Sequence, residues 1–228
     1  MSGAVALALA AAAALLLAAR RDPLRRAWAL VAIAGGFLYL ALRGLPPSAA
    51  ADPVAADWNW SGHLLAVAGM LALALLLARR AALAPREMGF AMPTGVGAAA
   101  AVCAVALLLS YLLQIATAAR IEPPSARTWL FLATMPGLAE EVAFRGVLLA
   151  AAERAAPARR RIAGVPVSVG AALLTAAFVG LHGVGVGMLT SVLPAALLYL
   201  WLRLRTGSLL TPIVAHNLWN LTVLAAHL

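Results

Sequence analysis

Long apolar runs, separated by short polar stretches, dominate the chain. An α-helix needs about 20 apolar residues to span the hydrocarbon layer of a membrane. The runs predict eight spanning helices, at about 2–19, 27–43, 61–78, 95–118, 127–151, 162–182, 187–203 and 208–227. Only helices and closed barrels satisfy their backbone in lipid, so we expect an all-α polytopic membrane protein with one integral membrane domain over residues 1–228. The second run is short and Gly170 interrupts the sixth, which leaves seven spans as an alternative.

Composition supports the membrane assignment. The chain is 64% hydrophobic and 11% charged, whereas a soluble domain is about 45–50% apolar and about 25% charged. The net charge of +9 could indicate a nucleic-acid-binding protein. However, all 17 basic residues are arginines, and they lie in short clusters between apolar runs. That pattern is typical of topology determinants beside a membrane, so we expect no nucleic-acid partner. Cys103 is the only cysteine, which excludes an internal disulfide.

The arginines are distributed unevenly among the predicted loops. The first, third, fifth and seventh loops hold 13 of the 17, whereas the other loops hold only Arg43, Arg120 and Arg127. Positive residues favour the cytoplasmic side, so the odd loops are predicted to be cytoplasmic and both termini extracytoplasmic, in the cell (inner or plasma) membrane. The first arginine cluster follows the first apolar run instead of preceding it. We therefore expect a retained helix there, not a cleaved signal peptide.

Three charged side chains interrupt the fifth run: Glu140, Glu141 and Arg145. A charge at the centre of a membrane helix costs about 2.5–3.5 kcal/mol on insertion scales, so we expect these residues to face a protected polar interior. Glu141 and Arg145 are four residues apart with the acid first, the favourable order for a helical ion pair. Glu140 points about 100° away around the helix and has no partner there. A pair that only joins helices would leave Glu140 unexplained, so Glu140 is the candidate general base.

Polar side chains at membrane depth recur on two further helices. His182 ends the sixth span, and His216 and Asn220 share one face of the eighth because they lie one turn apart. Each alone could be an interfacial residue or a hydrogen-bonding contact between helices. Together with the acids they predict a polar site buried between helices 5, 6 and 8. His63 lies near a span end without polar company, and we expect it to be interfacial.

Three segments resemble the motifs of a known family. Residues 140–145 are similar to its EExxxR motif, residues 178–182 to FxxxH and residues 216–220 to HxxxN, with a similar lead-in over 205–213. The family is the CPBP group of intramembrane proteases, which includes the type II CAAX prenyl endopeptidases and bacterial Abi proteins. By this resemblance, residues 126–222 form the catalytic core.

The resemblance implies an intramembrane endopeptidase that hydrolyses a peptide bond of a membrane-associated protein near its C-terminal segment. The implied catalytic residues are Glu140, Glu141, Arg145, His182, His216 and Asn220. In the family, the first glutamate activates water, and the second glutamate and the arginine support it. The histidines hold the water or a metal, and the asparagine stabilises the oxyanion.

The residue types leave the role of a metal open. Two histidines and one glutamate, here Glu140, His182 and His216, make a catalytic zinc ligand set, and the other glutamate would then be the base. Equally, a glutamate, two imidazoles and an amide could activate water without an ion. The motifs lack the HExxH spacing of common zinc proteases, which favours the metal-free reading slightly.

The predicted topology also bears on the substrate. The fifth span enters from outside and the sixth and eighth travel outward, so we expect the site to open to the extracytoplasmic side. A prenylated protein tail approaches the membrane from the cytosol, so it is a poor match for a site that opens to the extracytoplasmic side. The resemblance extends to myxosortase-like proteases, which implies a membrane-anchored C-terminal sorting signal as substrate. A bacteriocin-immunity protein, a transporter or channel with charges at mid-membrane, and a non-catalytic scaffold are the alternatives.

Overall fold

The computed structural model describes residues 3–45, 58–80, 82–117, 121–183 and 185–228. Helices make up most of these residues. The helices are α1 (Gly3–Ala19), α2 (Pro23–Arg43), α3 (Trp60–Arg79), α4 (Val96–Thr117), α5 (Ala126–Glu141), α6 (Leu148–Ala155), α7 (Val169–His182), α8 (Val186–Thr206) and α9 (Leu210–Ala226). A π-helical segment, Val142–Val147, joins α5 to α6, so these three form one continuous helical rod.

The start of α2 is determined by a polar N-cap and differs from the start that the apolar pattern predicts. α2 begins at Pro23, before the predicted residue 27. The reason is Asp22, whose Oδ1 accepts hydrogen bonds from the backbone N–H of Leu24 (2.8 Å) and Arg25 (3.2 Å). Such a cap contributes about 1 kcal/mol, and a proline suits the first helical turn, where its missing N–H is not needed.

The predicted sixth span is wrong over residues 162–168, and the all-α expectation fails at the same place. Strands β1 (Arg159–Ile162) and β2 (Val165–Ser168) form an antiparallel hairpin. Its two-residue turn has positive φ at Ala163 (48°) and Gly164 (81°), the backbone that matches the twist of a tight hairpin. α7 starts only after this hairpin. The chain is therefore mostly helical, with one small sheet.

Among the described residues, three helices are long and apolar enough to cross a membrane: α2, α3 and α4. Shorter apolar helical stretches cover Ala6–Ala19 and Val169–His182. α4 exposes many of its aliphatic side chains, including Leu109 (61%) and Leu113 (58%), as a lipid-facing helix does. These features are those of a helical membrane protein. The number of spans that the chain makes stays a prediction.

Buried side chains from α1, α2, α3, α5, α6 and α7 form the larger core, and α4, α8 and α9 form a smaller one. A glycine permits the tightest helix contact of the larger core. A Cβ at Gly170 would clash with the backbone carbonyl of Ala152, so only glycine lets α7 start this close to α6.

Arginines of the odd-numbered loops gather at one end of the helices, around a cleft of about 530 Å³. We call this end the arginine face; its basic residues are Arg25, Arg86, Arg154, Arg159 and Arg203. Arg154 pairs with Glu87 at 2.7 Å, and Arg203 Nη2 donates to the Glu87 carbonyl at 2.7 Å. The backbone N–H of Ala84 and the Arg154 guanidinium lower the pKa of the Glu87 carboxyl. The C-terminal ends of α2 and α7 and the N-terminal end of α3 lie at the opposite end of the bundle.

Candidate active site

The adjacent glutamates lie where α5 passes into the π-helical segment. Glu140 is 4% exposed, Glu141 0% and Arg145 2%. A π-helical turn inside an α-helix is rare and is frequently found at functional sites. Here it covers Val142–Val147, directly after the glutamates, and Arg203 Nε donates to the carbonyl of Arg145 within it at 3.0 Å. The two glutamates thus end α5, Arg145 lies in the irregular turn that follows, and Arg203 of α8 contacts the backbone of that turn.

α9 is fastened to α5 one turn before the glutamates. Asn217 Oδ1 accepts a hydrogen bond from the backbone N–H of Gly137 at 2.9 Å, and its Nδ2 donates to the carbonyl of Thr134 at 3.3 Å. A Cβ at Gly137 would clash with Asn217 and with the carbonyl of Ile213, so the glycine allows this close approach. The neighbouring residue, His216, is thereby placed against the glutamates.

Glu141 is held by two partners. Arg145 Nε lies 3.4 Å from its Oε2, so the predicted ion pair within the helix is present. His216 Nδ1 lies 2.8 Å from its Oε1. Aromatic rings enclose the group: the Arg145 guanidinium lies 4.1 Å from the centre of the Phe178 ring, and Tyr199 stacks on His216 at 4.6 Å. Glu141 Oε1 thus fixes His216, and Oε2 forms an ion pair with Arg145 without a hydrogen bond to any described residue.

Glu140 faces the two predicted histidines. Its Oε2 lies 3.6 Å from His182 Nε2 and 3.9 Å from His216 Nε2. Its Oε1 lies 3.4 Å from Arg43 Nη2. Within the described part of the chain, Oε2 is buried and has no hydrogen-bond partner. The structure thus brings Glu140, His182 and His216 together around one oxygen atom whose hydrogen-bonding capacity is unused.

The outer contacts of the imidazoles decide which nitrogen carries hydrogen. His182 Nδ1 lies 2.9 Å from the carbonyl of Phe178, and a carbonyl only accepts, so this nitrogen is the donor. His216 Nδ1 donates in the same way to the Glu141 carboxylate. In the neutral rings both Nε2 atoms therefore carry lone pairs. Three electron-pair donors, one carboxylate oxygen and two imidazole nitrogens, converge on one small volume.

Sequence reasoning missed two residues of this neighbourhood. Arg43 was counted with the loop arginines, but it is the third group in contact with Glu140. His63 was expected to be interfacial, yet it is 6% exposed and its Nε2 accepts from Arg43 Nε at 3.3 Å. No local motif marks either residue, because both reach the site through contacts between helices that are distant in sequence.

In a comparison with protein-family models, the family described as type II CAAX prenyl endopeptidase Rce1-like matches residues 122–222. We call residues 122–222, over which the chain is similar to this family, the Rce1-like segment. Neither the curated proteins nor the solved structures give a match. The Rce1-like segment runs from just before α5 nearly to the end of α9 and contains all six predicted catalytic residues. Arg43 and His63 lie outside it.

One predicted residue of the Rce1-like segment has no observed contact in the cluster. Asn220 lies one turn beyond His216, is half-buried, and makes no side-chain hydrogen bond to any described residue. Asn217, which was not predicted, makes the fixed contacts instead. The role of Asn220 toward an oxyanion stays a prediction.

The predicted metal set of the Rce1-like segment has suitable donor types. Zinc accepts imidazole nitrogen and carboxylate oxygen, and two imidazole lone pairs face Glu140 Oε2. Among the described residues, however, no three His, Cys, Asp or Glu side chains have an arrangement that would hold an ion. In the zinc alternative, Glu141 would have to be the base, but its Oε1 contacts His216 and its Oε2 faces Arg145. Glu140 Oε2 faces the Nε2 atoms of both histidines, which favours Glu140 as the base.

Proposed function

We propose that the chain is an intramembrane endopeptidase that hydrolyses a peptide bond of a membrane-associated protein, with Glu140 as the base that activates water. The observation that carries this proposal is the buried, unpartnered Oε2 of Glu140, facing the lone pairs of His182 and His216. The match to the Rce1-like family supports the class of reaction.

The proposed reaction begins with a water between these three atoms. Its hydrogens are donated to Glu140 Oε2 and to an imidazole Nε2, while its oxygen attacks the peptide carbonyl. Glu140 takes one proton as the C–O bond forms and passes it to the leaving nitrogen as the C–N bond breaks. Glu141 and Arg145 keep His216 in its tautomer, and Asn220 donates to the oxyanion.

We propose further that the site opens to the extracytoplasmic side of a cell membrane that the chain crosses eight times, with both termini outside. The arginine face lies at one end of the helices, and the candidate site lies toward the other. Arg43 has a partner at the site, so it no longer counts against the positive-inside distribution.

This orientation can be tested by thiol labelling. Cys103 is first replaced by Ser, and single cysteines are then placed at Gly185, where a Cβ meets open space, and at the exposed Arg160 of β1. A membrane-impermeant maleimide should label residue 185 from outside and residue 160 only from the cytoplasm. The reverse pattern would invert the proposed topology.

An outward-opening site suits a substrate whose cleavage point lies near the outer surface. We propose a C-terminal sorting signal, made of a transmembrane helix followed by an arginine-rich tail, as in myxosortase-like processing. A prenylated cytosolic tail would approach from the arginine face, whereas Arg43 and His182, which contact Glu140, lie at the opposite ends of α2 and α7.

The proposed function is tested by cleavage of such a signal, fused to a reporter and co-expressed with each variant. Glu140→Gln, His182→Ala and His216→Ala should each abolish cleavage while the protein accumulates in the membrane. Normal cleavage by any one of them would remove the role proposed for that residue. Ion flux that requires Glu140, without cleavage, would identify a transporter or channel instead.

A further inference from the structure

We propose that Arg43 is a positioning residue of this site, which orients Glu140, and that a neutral His63 holds Arg43 in place. This inference rests on the proposed function, because it concerns the same base. It adds that α2 and α3, outside the segment matched by the family, complete the site.

Glu140 needs an orienting contact because its two oxygens would have different tasks. Oε2 faces the two imidazoles and is the oxygen that would take the proton. Oε1 faces Arg43 Nη2 at 3.4 Å. A cation on one oxygen fixes the rotation of the carboxylate and keeps the other oxygen toward the reacting water. Such orientation accounts for a large share of catalytic rate, since small misplacements cost about 100-fold.

Arg43 is itself held by a chain of directed contacts. His63 Nδ1 lies 2.7 Å from the carbonyl of Asn59, so this nitrogen is the donor and Nε2 carries the lone pair. Arg43 Nε donates to that lone pair at 3.3 Å. A protonated His63 could not accept this bond and would repel the guanidinium. The buried imidazole, packed edge-on against Phe131 at 5.0 Å, therefore fixes the direction of Arg43 only while it is neutral.

The backbone around Arg43 is clamped as well. Asn59 Nδ2 donates to the carbonyls of Arg43 (2.8 Å) and Leu45 (3.0 Å), which ties the end of α2 to the start of α3. A Cβ at Gly62 would clash with the Arg43 carbonyl, so a glycine is needed for this contact. The Arg43 side chain still remains 40% exposed, which leaves room for a small solute to enter if the guanidinium is removed.

The test is the kinetics of the purified full-length protein with a reporter peptide that carries a transmembrane helix and an arginine-rich C-terminal tail. Arg43→Ala should lower kcat by about 100-fold with little change in KM, because the base is misoriented while substrate binding persists. Free guanidinium, at a concentration too low to unfold the protein, should restore part of the rate. Arg79→Ala, an exposed arginine at the far end of α3, is the matched control and should change neither constant.

A second pair of variants tests His63. His63→Gln keeps an acceptor near the Nε2 position and should retain most of the rate, whereas His63→Leu removes the acceptor and should lower kcat as Arg43→Ala does. If the wild type cleaves, Glu140→Gln does not, and Arg43→Ala is fully active, the positioning role is overturned and the proposed function stands. A rate loss in Arg43→Ala that guanidinium leaves unchanged also overturns it. A wild type without peptidase activity would overturn both.

Discussion

The chain offers a matched comparison of two arginine–glutamate pairs, one buried and one exposed. Arg145 and Glu141 lie 3.4 Å apart with side chains that are 3% and 0% exposed. Arg154 and Glu87 lie 2.7 Å apart with side chains that are 38% and 42% exposed. If the buried pair supports the site as described, removing its arginine should cost far more stability than removing the exposed one.

The expected losses in the free energy of unfolding differ several-fold between the two arginine variants. Arg145→Met leaves Glu141 as a buried charge with only His216 as partner, and removing one partner from a buried pair costs about 3–5 kcal/mol. Because the His216 contact at 2.8 Å remains, we expect a loss near the lower end, about 3 kcal/mol. Arg154→Met removes an exposed pair, which contributes about 0–1 kcal/mol. The double change Arg145→Met with Glu141→Gln should recover part of the loss, because no unpaired charge is left.

The assay is unfolding of the purified protein in mixed micelles with a denaturing detergent, followed by circular dichroism. We expect Arg145→Met to be clearly less stable than Arg154→Met. The stability of the double variant should lie between that of Arg145→Met and that of the wild type. Equal, small losses for both single variants would refute the claim that the Glu141 charge is buried and held by Arg145.

Three further predictions use the same unfolding assay. Gly170→Ala should cost about 1–3 kcal/mol of stability, because its Cβ meets the Ala152 carbonyl. Gly36→Ala is the control and should not destabilise the protein, because its Cβ meets open space. Equal effects of the two changes would contradict the packing of α7 on α6. Asn217→Ala should cost about 1–3 kcal/mol because the part-buried backbone groups of Gly137 and Thr134 in α5 lose their partner. An unchanged stability would show that Asn217 does not fasten α9 to α5. Glu87 has a lowered pKa in the folded chain, so its charge adds stability that is present above its ordinary value of 4.5 and is lost as pH falls through the folded value. Glu87→Gln should therefore reduce the loss of stability on acidification, and an identical pH profile would exclude this contribution.

Helical periodicity explains why the sequence predicted part of the site. Residues four apart on a helix share a face, so Glu141 and Arg145 could be paired from sequence alone, and the pair is present. The cost of charge in lipid likewise marked Glu140 and the two histidines as members of one polar site. The structure places these three side chains around a single carboxylate oxygen.

What the sequence could not reveal depends on contacts between distant segments and on backbone detail. Arg43 looks like any loop arginine until α2 and α3 are packed, and only the Asn59 carbonyl reveals that His63 is an acceptor. Residues 159–168 contain an apolar run that resembles a helix start, but the turn at Ala163 and Gly164 makes a hairpin. The apolar pattern alone does not show that a tight turn, and not a continuous membrane-spanning helix, forms at these residues.

The central claim is that Glu140 is the base of a peptidase site, and the most direct test is cleavage by purified protein in lipid vesicles. The substrate is the reporter with the transmembrane helix and arginine-rich tail. The account predicts a cleaved product with the wild type and with Glu87→Gln, a carboxylate change at the arginine face, and a loss of at least about 100-fold with Glu140→Gln. Cleavage by Glu140→Gln at the wild-type rate would contradict it.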